Sequence, residues 1–286
     1  MMVLDKNLTA EDIARFSDTS PHEVKTELGE ESPLKFYYRV LNDDEQSRVT
    51  SKIHDELEQT TLAVSGENDS SRWESGWTEI LRLIQISNFE PELLKPQYFK
   101  YDILRLNRKF IQVSDIDFEY NLFTLLRKII FKKYLSQYSK IIEFGCGTGG
   151  NLYILRNLFP EAFLMGCDWT ISSQKILEII SRNVSKQVEG ERFNMLTLEG
   201  KENIPLDTGT AVITIHSMEQ LANSFQPILN YFLSQKPGIV FHLEPILELY
   251  DPEDPCALLA IQYHKKKNYL IGYLPALEEL EQKKLI

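Results

Sequence analysis

From residue 118 onward the chain alternates between two hydrophobic periods. Nearly continuous apolar runs fall at 140–145, 162–167, 193–198, 210–215 and 238–243. Between them, at 150–159, 171–184 and 221–234, apolar residues recur every three or four positions. Short unbroken runs predict strands buried on both faces, and the longer period predicts helices. Strands that alternate with helices imply an α/β fold: a doubly wound, mostly parallel sheet with helices on both faces. "PEDPCALLAIQYHKKK" (252–267) and "PALEELEQKKLI" (275–286) read as two further helices.

Residues 1–117 lack this alternation. "TSPHEVKTEL" offers Thr19 or Ser20 as an N-cap, with Pro21 at the first helical position. Val49, Ile53 and Leu57 lie four apart, a weakly amphipathic helix. Residues 63–71, "AVSGENDSS", read as a loop. Trp73, Trp77, Ile80, Leu81 and Ile84 then form one helical stripe, and "EPELLKPQYFK" reads as a turn-rich link. "FEYNLFTLLRKIIFKKYL" (118–135) is a helix with Leu122, Leu125, Leu126, Ile129 and Ile130 on one face. The expectation is a helical N-terminal extension over 1–117, capping the substrate side of an α/β domain over 118–286.

Bulk properties narrow the function. The 286 residues carry a formal net charge of −11, which argues against binding nucleic acid through a general basic surface. The triplet Lys265–Lys267 reads as a solvated helix end. No run reaches the roughly 18 apolar residues of a membrane span, and the N-terminus has no signal-peptide layout. Three cysteines without CxxC spacing support neither a zinc site nor a disulfide framework. Cytoplasmic residence is the expectation, with no membrane, nucleic acid or metal involved.

The chemistry concentrates in "KIIEFGCGTGGNLYIL" (140–155). Four glycines within six residues follow an apolar run that holds one acid, Glu143. Gly145 suits a sharp turn off the strand; Gly147 and Gly149 let a ligand approach the backbone. The following helix start offers free N–H groups and partial positive charge. Asp168, at the end of the next strand, has the chemistry to accept hydrogen bonds from ribose hydroxyls. Gly145, Gly147 and Gly150 also satisfy the dinucleotide spacing G-x-G-x-x-G. Glu143 separates the candidates, because a carboxylate suits a cationic sulfonium donor bearing an ammonium and repels a pyrophosphate.

"EFGCGTG" resembles the first motif of the class I S-adenosylmethionine (SAM)-dependent methyltransferases, small-molecule type, and the similarity runs over about 140–250. It implies a Rossmann-like fold with SAM as cofactor and S-adenosylhomocysteine (SAH) as product. By the same resemblance Glu143, Gly145, Cys146, Gly147 and Gly149 belong to the cofactor site. Asp168 would meet the ribose, Trp169 the adenine, and Glu199 or Glu202 the adenine amino group, although the family usually has Asp in that loop. "VITIHSMEQL" looks like the fourth strand and its exit, where relatives often carry His-x-x-Glu-His; here Gln220 stands in the last place. The acid that often opens this strand is absent from "GTAVIT". The antiparallel strand pair that usually closes the family's sheet is not expected before residue 286.

His216, at the C-terminal end of the fourth strand, is the expected base for methylation of a hydroxyl or amine, with Glu219 beside it. Glu244, at the end of the fifth strand, and Trp77 are the expected substrate contacts. His242 reads as core. The leading expectation is O- or N-methylation of a small-molecule acceptor such as a sugar or secondary metabolite. The alternatives are a non-catalytic SAM- or SAH-binding scaffold and, third, an NAD-linked oxidoreductase.

Overall fold

The computed structural model describes residues 4–29, 35–59, 64–66 and 70–286. Its N-terminal part is mixed, which corrects the expected helical extension. Strands β1 (Lys6–Asn7), β2 (Tyr37–Val40), β3 (Ile103–Leu106) and β4 (Lys109–Val113) form an antiparallel sheet in the order β1-β2-β4-β3. β3 and β4 are joined by Asn107 and Arg108, both at positive φ (48° and 64°). That is the backbone signature of a two-residue type I′ hairpin. The turn contains no glycine, so the usual signal of such a hairpin is missing. Helices α1 (Ala10–Phe16) and α2 (Pro21–Leu28) start with capping boxes, Thr9 with Asp12 and Ser20 with Glu23. α3 (Asp43–Gln59) and α4 (Ser70–Ser87) follow. Ser70 and Ser71 thus open a helix rather than close the loop expected at 63–71; residues 63 and 67–69 lie outside the described residues.

α5 (Phe118–Leu135) links the two halves. Phe118, Leu122, Leu125 and Ile129 pack with the N-terminal sheet, while Phe131 and Leu135 enter the core of the second sheet. That sheet contains β5 (Lys140–Phe144), β6 (Phe163–Asp168), β7 (Val188–Arg192), β8 (Thr210–Ile215) and β9 (Ile239–Leu243). All its pairings are parallel and the order is β7-β6-β5-β8-β9. The connecting helices are α6 (Gly150–Leu158), α7 (Ile171–Asn183) and α8 (Gln226–Gln235), and α9 (Pro255–Lys267) and α10 (Tyr273–Gln282) complete the chain's helices. The fold is doubly wound and Rossmann-like. Strand order reverses between β5 and β8, so a crevice opens at their C-terminal ends, where such sheets take ligands.

Successive residues of β5 serve opposite layers. Ile141 packs into a core with Ile84 of α4, Leu152 of α6 and Leu177 of α7. Ile142 and Phe144 face the other way, among Ile228 and Phe232 of α8 and Tyr273 of α10. Glu143, by alternation, points toward the α4–α7 layer.

One strand differs from expectation. The third is "VEGER" at 188–192, not the apolar run 193–198. β7 is an edge strand with only Val188 buried, so it needs little hydrophobicity. In the apolar run, Asn194 Oδ1 accepts from the N–H groups of Leu196 (2.8 Å) and Thr197, turning the chain out of the sheet. Phe193 then packs edge-on against Phe144 (5.0 Å between centroids). α8 also starts later than expected, because Ala222 adopts φ +54° after a 3-10 turn at Met218–Leu221. Among the described residues no helix is long and apolar enough to cross a membrane.

Phe144 is fully buried between Phe193 and Phe232. Phe144→Ala is expected to destabilise the protein by about 3–5 kcal/mol, seen as a lower denaturation midpoint in urea.

Candidate active site

The site is built on the turn from β5 into α6. Gly145, Gly147 and Gly149 all have positive φ (75°, 53° and 74°). The N–H groups of Gly145 and Cys146 donate to Cys167 O at 2.7 and 3.2 Å, and the N–H of Gly147 donates to Asp168 Oδ2 at 3.0 Å. Ser173 Oγ of α7 donates to Gly147 O at 2.5 Å. A Cβ at Gly145 would lie 2.2 Å from Ser217 Cβ, and one at Gly147 would lie 3.0 Å from the Trp77 indole. The loop is therefore bare backbone, stretched between the ends of β6 and β8 with a tryptophan over it.

Beside it lies a hollow of about 530 Å³ lined by Gly145, Gly147, Asp168, Trp169, Trp77 and His216, with Phe193 and Met195. Asp168 accepts from Thr170 N (2.9 Å) and Thr170 Oγ1 (2.7 Å) on one oxygen and from Gly147 on the other. Burial raises its pKa, and these hydrogen bonds oppose the rise. Trp169 borders both this hollow and a second one, of about 550 Å³, that holds Asn194, Glu199 and Glu202. Glu199 is thus placed in the neighbouring hollow and does not line the first. Cys146 is buried, and its thiol is pushed well up by burial; it contributes backbone rather than a reactive sulfur.

The turn after β8 presents His216 in a left-handed conformation, φ +51°. Its Nδ1 lies 3.6 Å from Glu219 Oε2, and its ring meets Phe123 edge-on at 5.4 Å. Burial lowers the imidazole pKa, but the Glu219 carboxylate, with Glu244 behind it, outweighs this and the net shift is upward. Glu244, expected to bind substrate, lines neither hollow. Its Oε1 accepts from the N–H groups of Ser217 and Met218, both at 3.1 Å, and so fixes the turn that carries His216. Burial, aided by the Glu219 charge, raises its pKa to about 7. His242 lies between Thr214 Oγ1 (2.7 Å) and Tyr273 OH (2.8 Å), in agreement with a core role.

Glu143 also differs from its expected setting. It is fully buried beneath the loop and does not line the hollow. Asn151 Nδ2 donates to its Oε1 at 2.5 Å; Oε2 has no partner. Burial raises its pKa to about 8, so at neutral pH it is mainly a neutral acid. Asn151 accepts in turn from Arg127 of α5, which is stacked on Phe123 (4.7 Å). Sequence reasoning missed Asn151 and Arg127, and it read "PQYFK" as a link although Tyr98 and Phe99 line the larger cleft that continues from His216. The aromatic content of that link was the available signal.

A protonated Glu143 makes stability depend on pH. Its folded value, about 8, lies above the ordinary 4.5, so the folded chain holds a proton that the unfolded chain releases. That contribution is complete below the unfolded value and is lost as pH rises through the folded one. Glu143→Gln keeps the bond from Asn151 and cannot ionise. Denaturation midpoints measured from about pH 4.5 to about 8 should therefore fall less steeply in the variant than in the wild type.

No family model and no curated protein matches the chain. Among solved structures it is similar to an O-methyltransferase family protein from Burkholderia thailandensis: 10% identity, TM-score 0.42, covering 98% of this chain and 83% of that one. It is also similar to coclaurine N-methyltransferase bound to N-methylheliamine and SAH: 12% identity, TM-score 0.38, covering 80% and 55%. A third is PKMT2 from Rickettsia typhi in complex with AdoHcy: 18% identity, TM-score 0.30, covering 35% and 19%. The chain thus spans about a fifth of the last protein and just over half of coclaurine N-methyltransferase.

Proposed function

We propose that this chain is a SAM-dependent methyltransferase that acts on a small-molecule acceptor. The observation that carries the reading is the bare glycine loop at the switch point, tied to Asp168 and opening through His216 into a second, larger cleft. One hollow suits a nucleoside-bearing donor; the adjoining cleft suits the molecule it modifies.

The residues present fit SAM. The first hollow combines ring faces, Met195 and a carboxylate, and among the described residues no lysine or arginine lines it. Because Glu143 is shielded and mainly neutral, it does not itself discriminate SAM from a dinucleotide. Asp168 and Trp169 would hold the adenosyl part, and the backbone of 145–149 would lie along the rest. Glu143, buried beneath the loop and held by Asn151, would support the loop from below rather than touch the donor. When bound, SAM supplies a methyl group already activated on a sulfonium, so the protein's main tasks are alignment and exclusion of water. Trp73 and Trp77 cover the hollow and serve the second task. His216, held by the Glu244-anchored turn with Glu219 beside its Nδ1, would as the neutral imidazole take up the acceptor's proton.

Isothermal titration with SAM, SAH and NAD tests this. SAM and SAH should bind and NAD should not; heat from NAD alone would remove the reading. Gly147→Val should abolish SAH binding, because a β-branched residue at φ +53° is strained and its Cβ would meet Trp77. His216→Ala should leave SAH affinity within about twofold and slow turnover by roughly 10²–10⁴.

A further inference from the structure

Beyond His216 the large cleft, about 2450 Å³ of open space, carries many aromatic residues in its walls. Tyr98, Tyr101, Tyr120, Tyr250, Tyr263 and Tyr269 all line it. Two carboxylates, Glu119 and Glu219, lie in the same wall as His216. Glu219 is 8% exposed; one oxygen accepts from Gln220 Nε2 (2.9 Å) and the other faces His216. Among the described residues no lysine or arginine lies within ion-pair distance of either carboxylate.

That separation is informative because the cleft also contains four cations. Each approaches an aromatic face: Arg127 over Phe123 (4.7 Å), Arg72 over Trp73 (4.7 Å), Arg105 over Tyr250 (5.5 Å) and Lys267 over Tyr269 (5.8 Å). Arg127 is further engaged by Asn151, Thr124 and the Phe123 carbonyl. Tyr98 and Tyr263 also line the cleft and present ring faces of the kind that attract cations, while Glu119 and Glu219 line it beside His216. A second polar group points to a bound molecule. His264 is 5% exposed, lines the cleft between Tyr250 and Tyr269 (both 5.4 Å), and its Nδ1 has no partner.

We infer that the methyl acceptor is an amine on an apolar or aromatic body, bound as its ammonium by Glu219 and the surrounding rings. This rests on the methyltransferase reading and narrows it to N-methylation. The ammonium first gives one proton to His216. The freed nitrogen lone pair forms the new N–C bond as the donor's C–S bond breaks and its electron pair stays on sulfur, leaving a neutral thioether. The methylated nitrogen emerges as an ammonium, and His216 passes its proton to water. His264 offers a hydrogen bond to a polar group at the other end of the acceptor.

The test uses the full chain saturated with SAH and three probes of similar shape: phenethylamine, 2-phenylethanol and 3-phenylpropionate. Titration calorimetry should show the amine binding at least tenfold more tightly than the other two. Glu219→Gln should erase that preference while SAH affinity stays unchanged. Tyr263→Leu, at a half-exposed position, should weaken the amine severalfold with the same thermal stability. Tighter binding of 3-phenylpropionate, an amine affinity indifferent to Glu219→Gln, or no binding by the amine at millimolar concentration would each overturn the inference. If SAH itself fails to bind, the cofactor reading has failed instead, and the same titrations on the unloaded chain still judge the amine site.

Discussion

The arrangement depends on one set of backbone hydrogen bonds. Gly145 and Cys146 donate to Cys167 O of β6, and Gly147 donates to the carboxyl of Asp168. These bonds hold the loop away from a direct path between β5 and α6, and three left-handed residues are the conformational consequence. The carboxyl that would meet a ribose is the same group that positions the loop, so the two sides of the hollow share one side chain. Each of its oxygens also has a local partner, and this explains how a buried acid is tolerated there.

The sheet turns that local geometry into a two-chambered site. Strand order reverses beside β5, so the ends of β5 and β8 part, and the turn after β8 delivers His216 to the gap. Glu244 from β9 secures this turn through two N–H groups, an acceptor role that needs no ionised, solvent-facing carboxylate. Its conversion from expected substrate contact to internal brace follows from burial: a side chain shut against a peptide turn finds hydrogen-bond donors sooner than ligands. Glu143 shows the same principle on the opposite side of the loop, where Asn151 supplies one donor and the other oxygen stays unmatched.

Where the hydrophobic pattern was decisive, the fold was legible. β5, β6 and β8 lie where the apolar runs put them, because these central strands are covered on both faces and are mostly apolar. β7 escaped notice because an edge strand has only one neighbour and a nearly polar sequence suffices. The apolar run beside it went to a loop that wraps Phe193 onto Phe144. The N-terminal sheet was obscured by short strands and a glycine-free hairpin. In the site, the glycines and Asp168 were readable from spacing, since their chemistry is local to one motif. The aromatic cleft was not, because its tyrosines come from segments near residues 98, 120, 250 and 263 that only tertiary folding brings together.

The N-terminal part is structurally inseparable from the candidate cofactor site. Glu74 of α4 accepts from the N–H groups of Ile171 (2.7 Å) and Ser172 (3.1 Å), capping the very helix that follows Asp168. Thr78 shares a hydrogen bond with Ser172 (2.7 Å), and Thr148 within the glycine loop donates to Leu94 O (2.6 Å). An acid at a helix N-terminus satisfies free N–H groups and opposes the dipole's positive end. These bonds fix the register of α4, and with it the place of Trp73 and Trp77 above the loop. The same two tryptophans border both the hollow and the cleft. A ligand in either chamber would therefore contact a wall that is pinned to α7, and the relation of the two chambers is set by one helix.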